Sequence, residues 1–322
     1  MKIFFLLLIL FSPLSAEALK SESKALICGV CRNVSQNFER TVENIETLGS
    51  RFSAYHVIIY ENNSTDNTPA LFKEWAKKNN ENITFLSENL PVNEIPLCRT
   101  EKIARARNIV LTAARDKKFA DFDYLIMTDL DSACVWPFDE VINTVRSPKE
   151  WDCVAANDLY LAEGFYRDRY AFRGGAQPLG PEILGDAWWG VLNTTWFVID
   201  QEDWLPVFSA FGGLAIYKTK SILPFNYFGT VTDDLARYYE SILALTDRKN
   251  PYKLLYLGVL AKEKIRTSSQ KPAVIFHHNT APERPANYPY ITVCEHVTLH
   301  AAMAMHGHGK LYINPKMKVR FN

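Results

Sequence analysis

Tyr124-Leu125-Ile126-Met127-Thr128-Asp129-Leu130-Asp131 is the stretch on which the fold turns. Its apolar run suits a buried central strand of a parallel sheet, and it ends in two carboxylates one residue apart. Side chains alternate along a strand, so Asp129 and Asp131 are expected to point the same way while Leu130 turns into the core. Two like charges at a strand's carboxyl end repel unless something positive lies there. A hard divalent cation carrying phosphate oxygens is the natural partner, and ligands of open α/β sheets bind at that end. A bare D-x-D also fits an acidic loop, so its neighbours have to decide.

Upstream, residues 25–30 predict a buried strand followed by Arg32-Asn33 and a helix to about Gly49. Residues 57–60 predict a second strand running into the polar loop Glu61-Asn62-Asn63-Ser64-Thr65-Asp66-Asn67-Thr68, which is rich in turn formers. Thr68-Pro69 opens a helix with proline at its first position, and residues 83–86 give a third strand. This β-α-β-α-β order argues a parallel, doubly wound sheet. Residues 99–118 predict a basic helix with Ile103, Ala106, Val110 and Ala113 as its apolar stripe. Lys102, Arg105 and Asn108 fall on another face, with Arg107 beside the stripe. That face is either solvated, or Arg107 or Arg105 reaches an anionic phosphate near the two aspartates.

Downstream, residues 152–156 predict a strand, and residues 157–200 mix glycines and aromatics without a clear period. Phe211-Gly212-Gly213 leads into a strand, and glycines there permit close backbone approach by a ligand or another strand. Residues 232–246 predict an amphipathic helix whose Asp233 and Asp234 serve as capping and dipole partners. Val293-Cys294-Glu295-His296 starts a helix to about Met305, and residues 311–315 give a short strand that stops at Pro315. Glu295 is placed either for dipole compensation or for chemistry. His296, His300, His306 and His308 are candidate metal ligands or structural histidines.

The totals bound the function class. A chain of 322 residues, 48% of them apolar, is long enough for one large α/β domain or two small ones, and no linker divides it. Equal counts of 36 basic and 36 acidic residues give no case for nucleic-acid binding. Residues 1–18 have the form of a signal peptide: Lys2, an apolar run to Leu14, and Ala16-Glu17-Ala18 as a cleavage site. The run is short for a membrane span, so the mature chain is expected to be exported, as a secreted or periplasmic protein or one of a secretory lumen, with no stable transmembrane span. Cys28, Cys31, Cys98, Cys134, Cys153 and Cys294 make an even set that permits disulfides, without the spacing of a small cystine scaffold. Cys28-Gly-Val-Cys31 is a candidate redox pair.

Together these elements resemble a nucleotide-sugar glycosyltransferase of the GT-A fold, over residues 25 to the end. IIYENNSTDNT resembles the strand and loop signature of family 2 glycosyltransferases, KIARARNIVL their A-R-N helix, and YLIMTDLDSA the strand ending in a metal-binding D-x-D. The loop is also similar to that of fungal capsule-type mannosyltransferases. FGGLAIYK and CEHVTLHAAMAMHGHGKLYINP resemble segments of polypeptide N-acetylgalactosaminyltransferases. The resemblance implies a single mixed, mainly parallel Rossmann-like sheet flanked by helices. Its donor half covers about residues 25–135 and its acceptor half about residues 136–322. It implies Mn²⁺ or Mg²⁺ as cofactor and a GDP- or UDP-sugar donor with a carbohydrate, lipid or protein acceptor. Asp131 and Glu295 become the catalytic candidates. Arg32, Glu61, Asp66, Arg107, Asn108, Asp129, Gly212 and Gly213 become the donor-binding set. Asp129 and Asp131 become the metal ligands. The family usually places a histidine after the final strand; none stands there in this sequence. The third ligand is then His296, His300, Asn322, or water and phosphate.

Two rival readings compete. A haloacid-dehalogenase-type phosphohydrolase also opens on a hydrophobic strand and D-x-D, with an aspartyl nucleophile, although Ala133 stands where that signature has Thr or Val. The other rival is a non-catalytic sugar-binding module on the same fold.

Overall fold

The computed structural model of the chain describes residues 19–79, 81–130, 134–160, 164–194, 197–262, 274–278 and 288–321. Its strands in chain order are β1 (Ser21–Cys31), β2 (Phe52–Asn62), β3 (Ile83–Glu88), β4 (Tyr124–Asp129), β5 (Cys134–Val135), β6 (Cys153–Tyr160), β7 (Leu205–Pro206), β8 (Leu214–Lys218) and β9 (Leu311–Phe321). The helices are α1 (Phe38–Gly49), α2 (Thr68–Lys78), α3 (Arg99–Ala114), α4 (Phe138–Val145), α5 (Pro181–Leu184), α6 (Ala187–Thr194), α7 (Thr219–Ile222), α8 (Asp233–Leu245), α9 (Pro251–Lys262) and α10 (Glu295–Met305).

All the described strands join one sheet in the order β3-β2-β1-β4-β8-β6-β9-β5, with β7 also on β9. β1 lies between parallel β2 and parallel β4, and β3 extends the parallel set beyond β2. Beyond β4 the sheet is mixed: β8 runs antiparallel to both β4 and β6, and β9 is parallel to β6. The fold is thus the mixed α/β, GT-A-type sheet expected, with its parallel character concentrated in the first half. The chain winds to one side of β1 through β2 and β3, then returns to the other side at β4. That reversal of strand order leaves a crevice at the carboxyl ends of β1, β2 and β4.

The two-residue period of the strands divides the core between the sheet's faces. Leu26, Cys28, Ile58, Tyr60, Leu125, Met127, Ala215 and Tyr217 meet α3, α8 and α10 on one face. Ala25, Ile27, Val57, Ile59, Ile126, Leu214 and Ile216 meet α1, α2 and α4 on the other. Asp129 continues the parity of Leu125 and Met127, so it emerges on the α3 side.

Two element ends and one aperiodic stretch differ from the sequence expectation. α3 ends at Ala114, and the turn Lys117–Phe119 that follows is capped by the Asp116 side chain, which accepts from the Lys118 N–H at 3.0 Å. A short acid that bonds its own neighbouring backbone competes with helix continuation. β9 does not stop at Pro315 but runs on to Phe321. Its pairing with β6 shifts register after Ala156, so the proline sits at a break in the ladder where no N–H is needed. Asn157 bridges that break by donating to the carbonyls of Pro315 and Ile199. The aperiodic residues after β6 are organised instead by a buried ion pair: Arg173 holds Glu182 through contacts of 2.7 and 2.9 Å, with both side chains fully buried and Tyr239 against them.

No disulfide joins any of the six cysteines, all of which are buried. Cys28 and Cys31 face opposite sides of the sheet, which separates the candidate redox pair. No helix among the described residues is long and apolar enough to cross a membrane. The expected signal peptide lies outside the described residues.

Candidate functional site

The crevice at the ends of β1, β2 and β4 is a cleft of about 540 Å³. Its first wall is the pair of loops that follow β1 and β2. These loops are laced together rather than free. Asn33 Oδ1 accepts from the Thr65 N–H at 2.7 Å, the Asn33 N–H donates to Ser64 Oγ at 3.0 Å, and Arg32 Nε donates to the Asn63 carbonyl at 3.1 Å. Asn33 and Asn63 take left-handed φ values of 55° and 53°, which asparagine tolerates better than most residues. Asp66 accepts from the N–H groups of Ser35 and Thr68, both at 3.0 Å. Burial works to raise the Asp66 carboxyl, but the Thr68 and Ser35 bonds outweigh it and hold it below the usual range. Glu61 is buried. Its Oε1 accepts from the Ser64 N–H at 2.8 Å and its Oε2 from the Ser87 hydroxyl at 2.7 Å. Of this sequence signature, Arg32, Asn62 and Asn63 line the cleft, whereas Glu61 and Asp66 stand behind it and fix the loop.

The centre of the site is Arg107. Its side chain is 3% exposed, its Nη2 donates to Asp129 Oδ1 at 2.9 Å, and its Nε lies 3.3 Å from Glu295 Oε1. The guanidinium lies over the rings of Phe211 at 4.6 Å and Tyr227 at 5.8 Å. Burial lowers the pKa of this arginine, but the charges of Asp129 and Glu295 more than reverse that and leave it raised. A strand end, a central helix and the first turn of α10 therefore meet on one cation. Asn108, next to it, faces away: it exchanges two hydrogen bonds of 2.8 Å with the Tyr227 backbone and pins the loop carrying that ring.

The glycine pair positions the opposite wall. Gly212 and Gly213 have φ of 68° and 75°, in the left-handed region where a Cβ is strained. The Gly213 carbonyl accepts from the Asp129 N–H at 3.0 Å, and the Gly212 N–H donates to Asp168 Oδ2 at 2.9 Å. Asp168, with Arg167 and Arg169, lines this wall, and none of the three was singled out from sequence. The signal was present as a charged triplet inside an aromatic, aperiodic stretch.

His296 lines the cleft beside Glu295. Its ring stacks on Phe211 at 3.9 Å and meets the Tyr227 ring edge-on at 5.4 Å. It is 1% exposed, and neither ring nitrogen has a hydrogen-bond partner. Burial, Arg107 and His300 all lower its pKa, so the ring is neutral. His300 is committed elsewhere, to Ser209 Oγ at 2.9 Å and the Tyr217 hydroxyl at 3.0 Å, and burial lowers its pKa to about 3.

The cleft lining holds six cations, Arg32, Arg99, Lys102, Arg107, Arg167 and Arg169, against the three carboxylates Asp129, Asp168 and Glu295. That excess favours an anionic ligand. Among the described residues no three His, Cys, Asp or Glu side chains come together as metal ligands. Asp131 and Asn322 lie outside the described residues, so the strand-end pair is represented by Asp129 alone.

Residues 27–146 match the model of glycosyl transferase family 2. That span runs from within β1 through α4 and includes α3 and β4, the strand that ends at Asp129. No curated protein matches the chain. Among solved structures, the mannosyltransferase PcManGT from Pyrobaculum calidifontis, in complex with GDP-Man and Mn²⁺, is similar at 18% identity and a TM-score of 0.39, over 66% of this chain and 50% of that one. GalNAc-T7 with UDP, GalNAc and Mn²⁺ is similar at 14% identity and a TM-score of 0.46, over 93% and 44%. S. aureus TarS 1-349 in complex with UDP-GlcNAc is similar at 12% identity and a TM-score of 0.34, over 64% and 48%. The chain spans about half the length of each of these structures or slightly less. The match to the glycosyl transferase family 2 model thus falls on the parallel half of the sheet, the half that carries Arg107 and Asp129.

Proposed function

We propose that the protein transfers a sugar from a GDP- or UDP-sugar donor to a hydroxyl of a carbohydrate, lipid or protein acceptor, with Mn²⁺ or Mg²⁺ as cofactor. The observation that carries this reading is the convergence of six cations on a cleft whose centre is the Arg107 bridge between Asp129 and Glu295. Sugar transfer from a nucleotide donor develops negative charge on a departing diphosphate. Preorganised donors aimed at that charge are the largest contribution such a site makes.

Each residue then has a task. Arg32, Asn62 and Asn63 form the rim on which the nucleoside end of the donor rests, held rigid by Glu61 and Asp66 behind them. Arg107, whose Nη1 has no hydrogen-bond partner, offers that N–H and its charge to the diphosphate. Asp129, a hard oxygen donor at the cleft, fits a divalent cation together with Asp131. When bound, that cation would neutralise the diphosphate as it leaves. Glu295, 5% exposed and facing the cleft beside Arg107, is the general base that takes the proton of the attacking hydroxyl in an inverting transfer. Gly212 and Gly213 bring the backbone close enough to set both Asp129 and Asp168.

The test is a panel of UDP, GDP and their sugars, read by thermal shift with and without Mn²⁺ on residues 19 to 322. A ligand that binds only the native state raises apparent stability. A Mn²⁺-dependent shift for one nucleotide family supports the reading and names the base. Affinity indifferent to EDTA removes the metal. No shift for any donor removes the reading in favour of the phosphohydrolase or the sugar-binding module. Turnover that is lost in Asp131→Asn while glycan binding persists separates the enzyme from the module.

A further inference from the structure

His296 is costly where it stands. A fully buried side chain whose two ring nitrogens lack hydrogen bonds forfeits what those atoms gain from water in the unfolded chain. The surroundings suit a phenyl ring better: Phe211 stacks on one face at 3.9 Å, and Tyr227 closes the edge. Glu295 does not satisfy the imidazole, since its Oε1 lies 3.6 Å from His296 Nε2, beyond hydrogen-bond reach. The other histidine of α10 shows the contrast, because both His300 nitrogens are engaged by hydroxyls. His296 itself lines the cleft.

The ligand chemistry follows from what a neutral imidazole offers, one N–H donor and one bare nitrogen that accepts. Phosphate oxygens only accept, and beside His296 the Arg107 guanidinium, with Nη1 lacking a hydrogen bond, already serves them. A bare ring nitrogen needs a donor. A sugar hydroxyl both donates and accepts, and it satisfies either nitrogen. We propose that His296 is the hydroxyl-binding residue of the cleft, positioning a sugar hydroxyl next to Glu295 while Arg107 holds the diphosphate. This rests on the glycosyltransferase reading above and divides its cleft into an anion half and a hydroxyl half. The hydroxyl belongs either to the transferring sugar or to the acceptor; the chemistry is the same, and the measurements separate the two.

His296→Phe is the test, because it keeps the ring and its stack and removes only the two nitrogens. Free H296F is expected to unfold at the same temperature as the parent or higher, since two unpaired buried polar atoms are gone. Its affinity for bare UDP or GDP with Mn²⁺ should be unchanged. If the hydroxyl is the donor's, affinity for UDP-GlcNAc or GDP-mannose falls about 5- to 10-fold relative to the bare nucleotide, the size of one net hydrogen bond. If it is the acceptor's, donor affinity is kept and KM for simple alkyl glycoside acceptors rises by a similar factor. His296→Gln, which retains a donor and an acceptor, should recover part of either loss. The inference is overturned if H296F is less stable than the parent, if bare nucleotide and nucleotide sugar weaken equally, or if neither donor affinity nor acceptor KM moves. Failure of the parent protein to bind any nucleotide would instead remove the glycosyltransferase reading, and this inference with it.

Discussion

Arg107 Nη2 and Asp129 Oδ1 lie 2.9 Å apart, one from the middle of α3 and one from the end of β4. The pair ties the helix over the sheet to the strand end where the ligand is expected. The same guanidinium reaches Glu295 on α10, so a single buried cation sets the spacing of the metal-ligand candidate Asp129 and the general-base candidate Glu295.

Removing that cation leaves the buried Glu295 carboxylate and the Asp129 carboxylate, 32% exposed, without the partner they share. Arg107→Met is therefore expected to destabilise the protein by about 3–5 kcal/mol, the range for breaking a buried pair by deleting one partner. Urea unfolding measures it. Arg107→Lys keeps the charge but not the planar fork, and it cannot serve Asp129 and Glu295 together. It should lose less stability than the methionine variant and still weaken nucleotide binding. Equal stability of parent and R107M would mean that the bridge carries no structural weight.

A second charge cluster gives a pH signature. Burial pushes the Asp158 carboxyl up to about 7, and Asp168 adds to the rise, while Arg167 opposes it through contacts of 2.9 and 3.0 Å to the two oxygens. In the unfolded chain the same group releases its proton near pH 4. Between about pH 4 and 7 the native state thus binds more protons than the unfolded one, and stability falls as pH rises through that window. Asp158→Asn cannot ionise. The urea midpoint of the parent minus that of D158N should decline from pH 4.5 to pH 8. A difference that is flat, or that grows with pH, would show that the Arg167 pair keeps Asp158 ionised throughout.

Much of the fold and part of the site were legible in the sequence, for identifiable reasons. The buried strands β1, β2 and β4 are continuous apolar runs, and Asp129 ends the last of them at the cleft. Arg107 was visible as a cation beside an apolar stripe, but its burial was not, because the two carboxylates that make burial tolerable come from positions 129 and 295. Asp168 was missed because its place depends on the Gly212 N–H, 44 residues away. The helix α9 gave no periodic signal, with apolar residues on all sides of Pro251–Lys262. The extension of β9 past Pro315 was hidden by a proline that a register shift accommodates.

Glu61 separates a loop-holding role from a ligand-reading one. Both of its oxygens are committed, to the Ser64 N–H and the Ser87 hydroxyl. Glu61→Ala should cost about 1–3 kcal/mol in unfolding, as a buried donor loses its acceptor. The loop carrying Asn62 and Asn63 would then loosen, and donor affinity should fall with it. Glu61→Gln keeps an oxygen for one of the two donors and should fall between. A stability loss with no change in donor affinity would show that Glu61 holds the loop without serving the nucleoside. Unchanged stability in E61A would contradict the hydrogen bonds themselves.

Gly212 offers a test with an internal control. Its φ of 68° is close to the 71° of Gly164. The surroundings differ: a Cβ on Gly164 would meet open space, whereas one on Gly212 would be driven into the Ala156 carbonyl oxygen. Gly164→Ala therefore carries only the left-handed penalty, about 1–2 kcal/mol. Gly212→Ala carries that and an overpacking cost of about 1–3 kcal/mol more. Only Gly212 also holds the Asp168 carboxylate and adjoins the carbonyl that receives the Asp129 N–H. In parallel urea titrations G212A should be the less stable variant. At a temperature where both are folded, G212A should also lose turnover that G164A keeps. Equal losses in the two variants would mean that the close approach of Gly212 to β6 contributes nothing to the site.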